Sequence, residues 1–85
     1  MPRFYLHVHN RTGFARDEEG GDFPNLHAAR AQAIEGIRSI LGDEARHGMI
    51  DLNGLIEIAT AEGKVVEVVR FSEAFELRLE DDKAA

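Results

Sequence analysis

The sequence predicts an α+β fold: one long helix laid across one face of a three- or four-stranded, mainly antiparallel sheet. Three observations predict it. Leu26 to His47 carries an apolar stripe at helical spacing, Arg3 to Asn10 alternates with a period of two, and Leu55–Thr60 and Lys64–Phe71 are β-rich runs joined by a short loop ending in Gly63. The order is strand, short strand, helix, strand, strand. A two-layer arrangement is the economical way to bury the stripe.

In the first strand Phe4, Leu6 and Val8 point one way, and Tyr5, His7 and His9 the other. Asn10-Arg11-Thr12-Gly13 is turn chemistry, and Phe14 to Arg16 return as a short antiparallel partner. Asp17-Glu18-Glu19-Gly20-Gly21-Asp22 reads as an acidic loop. Phe23 precedes the helix as a staple against its first turns.

The helix opens on Asn25 as N-cap, with Pro24 keeping the chain before it extended. Leu26, Ala29, Ala33, Ile34, Ile37, Ile40 and Leu41 gather on one side, through about six turns. Gly48 supplies the C′ residue. Gly36 and Gly42 each weaken the helix by about 0.5–1 kcal/mol relative to alanine. The polar pattern nevertheless continues through Asp43 to His47, so the helix is expected to run past Gly42. Arg30 falls inside the apolar stripe, where a guanidinium must snorkel or find a carboxylate. Asp17, in the loop before the same helical end, is its expected partner.

In the second hairpin Ile56 and Ile58 share a face. Alternation in Lys64–Phe71 puts Val65, Glu67, Val69 and Phe71 on one side and Val66 and Val68 on the other, so both faces are substantially apolar. Ser72 to Leu79 keeps Phe75, Leu77 and Leu79 in alternation, and reads as either a strand or a short helix. Residues 1–79 are read as a single domain and 80–85 as a polar tail.

Eighty-five residues support one thin core, and oligomerisation is a common remedy for that. The absence of cysteine excludes disulfides, thiolate metal sites and a cysteine nucleophile, and fits a cytoplasmic protein. The N-terminal ten residues lack the apolar region of a secretory signal, and no apolar run is long enough for a membrane span. A net charge of −6, from 16 acidic and 10 basic residues, argues against a non-specific nucleic-acid binder.

Pro2-Arg3-Phe4-Tyr5-Leu6-His7-Val8, Asp17-Glu18-Glu19-Gly20, Leu26 followed by Ala28-Ala29-Arg30, and Gly63, Val65-Val66 and Phe71 together resemble a family of short bacterial proteins known as a domain of unknown function. The resemblance spans roughly residues 2 to 74. It implies a small cytoplasmic α+β protein and no activity, cofactor or catalytic residue. Glu67 stands where the pattern calls for an apolar residue. The layout is also similar, at the level of fold, to HicB-type antitoxins, and fold alone does not carry function.

No stretch carries recognisable catalytic chemistry. His7 and His9 project from one strand face but lack a third ligand at a recognisable spacing, so two solvated or sheet-face histidines are expected and no metal. The acidic loop fails the calcium-loop pattern, since its third, fifth and twelfth positions from Asp17 are Glu19, Gly21 and Ala28. Neither glycine-rich phosphate motif occurs. The expectation is therefore a non-enzymatic interaction module without cofactor. It self-associates as a homodimer through a sheet face made of Tyr5, His7, His9, Val66 and Val68, or binds another protein. The alternative is an antitoxin-like, nucleic-acid-linked regulator using Arg3, Arg11 and Arg16.

Overall fold

The computed structural model describes residues 2–80. Met1 and residues 81–85 of the expected tail lie outside them. The elements are β1 (Arg3–Asn10), β2 (Gly13–Ala15), β3 (Gly21–Asp22), α1 (Leu26–Arg46), β4 (Leu55–Thr60) and β5 (Val65–Arg70), closed by a 3₁₀ turn at Phe71–Ala74. The architecture is the α+β layer pair expected from the sequence, with one long helix on a mainly antiparallel sheet.

The sheet order is β2-β1-β4-β5, and β3 adds a fifth, two-residue strand on the outer edge of β1. That edge is thus shared. β3 pairs with Arg3 and Phe4, β2 pairs with Val8 to Asn10, and Tyr5 to His7 fall in the gap. A gap of this kind leaves strand amides without a partner strand.

Asn25 caps α1 as expected, its Oδ1 accepting the Ala28 amide at 2.9 Å. Gly48 takes up the left-handed conformation at φ +86°, where the helix ends. The helix buries Ala29, Ala33, Ile37 and Leu41 against Ile56, Ile58, Val69 and Phe71. Phe4, Leu6 and Val8 pack on the same core from β1, and Phe23 joins them with its ring 6.3 Å from that of Phe4. Gly54 is obligatory for a steric reason. A Cβ there would stand 2.5 Å from the Phe71 ring and 2.8 Å from the His9 carbonyl, and the Phe71 amide bonds the Gly54 carbonyl at 2.9 Å.

Two expectations are corrected. Val66 does not share a face with Val68. Ile58 pairs with Glu67 and Ala59 with Val65, so Val66 is the extra residue of a β-bulge and packs against the core instead. Val65 is turned to the opposite, open face.

Arg30 does not reach Asp17. Glu67 lies on the helix-facing side of the sheet, in register with Ile58, and its carboxylate meets Arg30 Nη1 at 3.0 Å. Glu73, brought round by the 3₁₀ turn, meets Arg30 Nη2 at 2.9 Å. Two carboxylates distant in sequence, one from β5 and one from the 3₁₀ turn, thus pair with the guanidinium. The hydrogen bond to Glu73, with the charges of both carboxylates, outweighs burial and raises the Arg30 pKa further, and the same bond, with that from the Arg70 amide, holds Glu73 below its ordinary value.

The C-terminal segment leaves the sheet altogether. After Ala74 the chain runs irregularly to Glu80. Phe75 and Leu77 come to Leu41 and Ala45 of the helix rather than to the opposite face of the sheet.

Candidate functional site

Because α1 occupies one face of the sheet, the side chains that alternate away from it define the other. Register places them in three rows. Phe14, His9, Leu55 and Arg70 form the first, His7, Glu57 and Val68 the second, and Tyr5, Ala59 and Val65 the third. Phe14 is 52% exposed, Val65 42% and Val68 38%, on a face where polar residues are the norm for a one-helix layer.

An aromatic run crosses this face. His9 and Phe14 lie 4.5 Å apart between ring centroids, His7 and Phe14 5.8 Å, and Tyr5 and His7 are stacked at 6.3 Å. These separations are in the range of attractive ring pairs. His9 Nε2 sits 3.2 Å from Glu57 Oε1 without hydrogen-bond alignment, so this buried nitrogen has no hydrogen-bond partner among the described residues.

His7 is held differently. Its Nδ1 accepts the Asp17 amide at 3.0 Å, which assigns the ring proton to Nε2 in the neutral imidazole. The Asp17 carboxylate in turn accepts the Leu6 amide with Oδ2 and the Gly20 amide with Oδ1, both at 3.0 Å. Asp17 therefore plugs the gap in the β1 edge where neither β2 nor β3 reaches. Burial pushes its pKa up, but the amides of Leu6, Gly20 and Glu19 and the neighbouring His7 outweigh this and hold it below its ordinary value. The left-handed Gly20 belongs to the same clamp, since a Cβ there would lie 2.8 Å from the Tyr5 ring.

Of the residues singled out in the sequence, Tyr5, His7, His9 and Val68 come together on the open face, and Val66 leaves it. Phe14, Leu55, Val65 and Arg70 join them. Phe14 was legible in principle, since a turn at Arg11-Thr12 places it opposite His9. Val65 was not, because only the bulge turns it outward. Among the described residues no three histidine or acidic side chains meet in a metal-ligating group.

The three arginines of the first hairpin do not form a patch. Arg3 bonds the Glu19 carbonyl and pairs with Asp22 at 3.3 Å. Arg11, past the far end of a strand roughly 27 Å long, lies 3.7 Å from Asp51. Arg16 has no ion-pair partner among the described residues.

A family model described as Domain of unknown function (DUF6894) matches residues 3–72. The chain belongs to this family. The match runs from the first residue of β1 into the 3₁₀ turn and includes every residue of the open face. No curated protein and no solved structure matches the chain. Among the described residues no helix is long and apolar enough to cross a membrane.

Proposed function

We propose that this member of the family is a small non-enzymatic interaction module of the bacterial cytoplasm that forms a homodimer through the open face of its sheet. One observation carries the reading. The segment that could have covered Phe14, Val65 and Val68 within the chain runs along α1 instead, leaving them exposed.

Pairing through the β5 edge is disfavoured by two devices that blunt edges, the bulge at Val66 and the inward-pointing Glu67. The open face spans four strands and about six residues, roughly 400 Å² in projection. That is below the ~800 Å² per partner of a standard interface. The dimer is therefore concentration-dependent rather than obligate, and the same face suits a heterologous protein partner.

Sedimentation velocity across roughly 5–200 µM, a span suited to a small transient interface, tests this. Wild type shifts from monomer to dimer, and Val68→Lys or Phe14→Lys stays monomeric. A monomer throughout for wild type overturns the proposal.

A nucleic-acid-linked, antitoxin-like role has one observation in its favour, the ring-lined sheet face, since rings of this kind can stack on unpaired bases. The net charge of −6, the central Glu57 and the engagement of Arg3 and Arg11 weigh against it. A mobility shift with single-stranded oligonucleotides at low salt separates the two readings.

A further inference from the structure

The open face carries a pattern of donor, acceptor and charge that limits how two copies of it can meet. At its centre, in the second row, His7 of β1 and Glu57 of β4 stand in register. The Asp17 amide occupies His7 Nδ1, so the ring proton lies on Nε2, which is neither buried nor bonded to an acceptor among the described residues. Glu57 lies beside His9 without an aligned hydrogen bond, so its carboxylate is open to a donor as well. At opposite ends of the first row stand Phe14, 52% exposed, and the exposed Arg70.

Packed sheets lie about 10 Å apart and cross either nearly aligned or at right angles. A closed pair has its two-fold axis in the plane between them. An axis running across the strands through the second row sets Glu57 on the partner's Glu57. A diagonal axis, which gives the right-angled crossing, brings the same two carboxylates side by side. Like charges meeting at the centre of an interface weigh against both. An axis parallel to the strands, between β1 and β4, instead exchanges β1 with β4 and β2 with β5. His7 then faces the partner's Glu57, Phe14 faces the partner's Arg70, and His9 faces the partner's Leu55. Each contact occurs twice.

We infer that two copies join about this axis, with His7 Nε2–H of each donating to Glu57 of the other and each Arg70 lying over the other's Phe14. A histidine and a glutamate side chain together reach across the roughly 10 Å between sheets. A guanidinium over a ring is attracted by its face. The inference rests on the homodimer proposed above and adds its geometry: a closed pair whose polar groups match only when β1 meets β4.

The chain has no cysteine, so introduced thiols report the axis directly. Full-length Phe14→Cys and Arg70→Cys are mixed in equal amounts and oxidised, and so are His9→Cys and Leu55→Cys. In each mixture the mixed disulfide should predominate over either self-linked product, and Glu57→Cys alone should not link to itself. Glu57→Lys sets a cation against the partner's His7 and should raise the dimer Kd, by sedimentation, at least about tenfold. With wild type dimeric, the axis is overturned by self-linking of Glu57→Cys, by the absence of mixed disulfide in both mixtures, or by an unchanged Kd for Glu57→Lys. Those results leave the dimer itself standing. A wild type that stays monomeric overturns both.

Discussion

Asp17→Ala tests whether a side chain can stand in for a missing strand. In the wild type the carboxylate takes two backbone amides, of Leu6 and Gly20, each at 3.0 Å, in the gap between β2 and β3. Alanine leaves both without a protein acceptor. A buried amide left unpaired costs about 1–3 kcal/mol. The site is only partly buried, and water will replace some of the bonding, so the lower end applies to each amide and the total is about 2 kcal/mol. For a domain of this size that corresponds to a midpoint roughly 8–16 °C lower.

The pH dependence follows from the same geometry. The folded-state pKa of Asp17 lies below the ordinary value near 3.8, because the amide bonds and His7 outweigh the opposing effect of burial. Its contribution is therefore complete above the unfolded value and is lost as pH falls through the folded one. Thermal melts followed by circular dichroism should show the full gap between wild type and variant at neutral pH, narrowing below about pH 4. Faster hydrogen exchange at Leu6 and Gly20 should accompany it. A variant melting within about 2 °C of wild type, or a gap that persists unchanged in acid, would refute the assignment.

Arg30→Met should cost about 1–2 kcal/mol by leaving Glu67 on the core side of β5 without its cation, and Arg30→Met/Glu67→Leu should recover most of it. Urea midpoints for the three proteins check this, and a neutral single variant would show that the pair carries no stability. Gly54→Ala should destabilise by about 3 kcal/mol or more, since neither the buried Phe71 ring nor the His9 carbonyl has room to yield. An unchanged urea midpoint would mean that the connector moves freely.

Much of the layout was already legible along the chain because it rests on local periodicity and local chemistry. The stripe from Leu26 to Leu41 needs only the pitch of a helix to become a face, and the Asn25 cap and the left-handed Gly48 act within a few residues of themselves. Phe4, Leu6 and Val8 alternate inward for an equally local reason. The placement of Tyr5, His7 and His9 on the opposite face follows directly from theirs.

What the tertiary structure decided is everything that depends on register or on a partner far away in sequence. A single extra residue at Val66 exchanges which valines meet the helix, and a period-two pattern carries no mark of where such an insertion falls. Arg30 had a plausible acid nearby in sequence. Its actual partners, Glu67 and Glu73, are brought to it by the path of a hairpin 37 and 43 residues away. Asp17 was then free to bond the Leu6 amide, whose lack of a partner strand arises only once β2 and β3 stop short of each other. Phe75 and Leu77 could satisfy their alternation against either layer. They lie on the helix side because the 3₁₀ turn at Phe71–Ala74, tied to Arg38 and Gly54, sends the chain there. Local spacing sets which side chains share a face, and long-range pairing sets what that face meets.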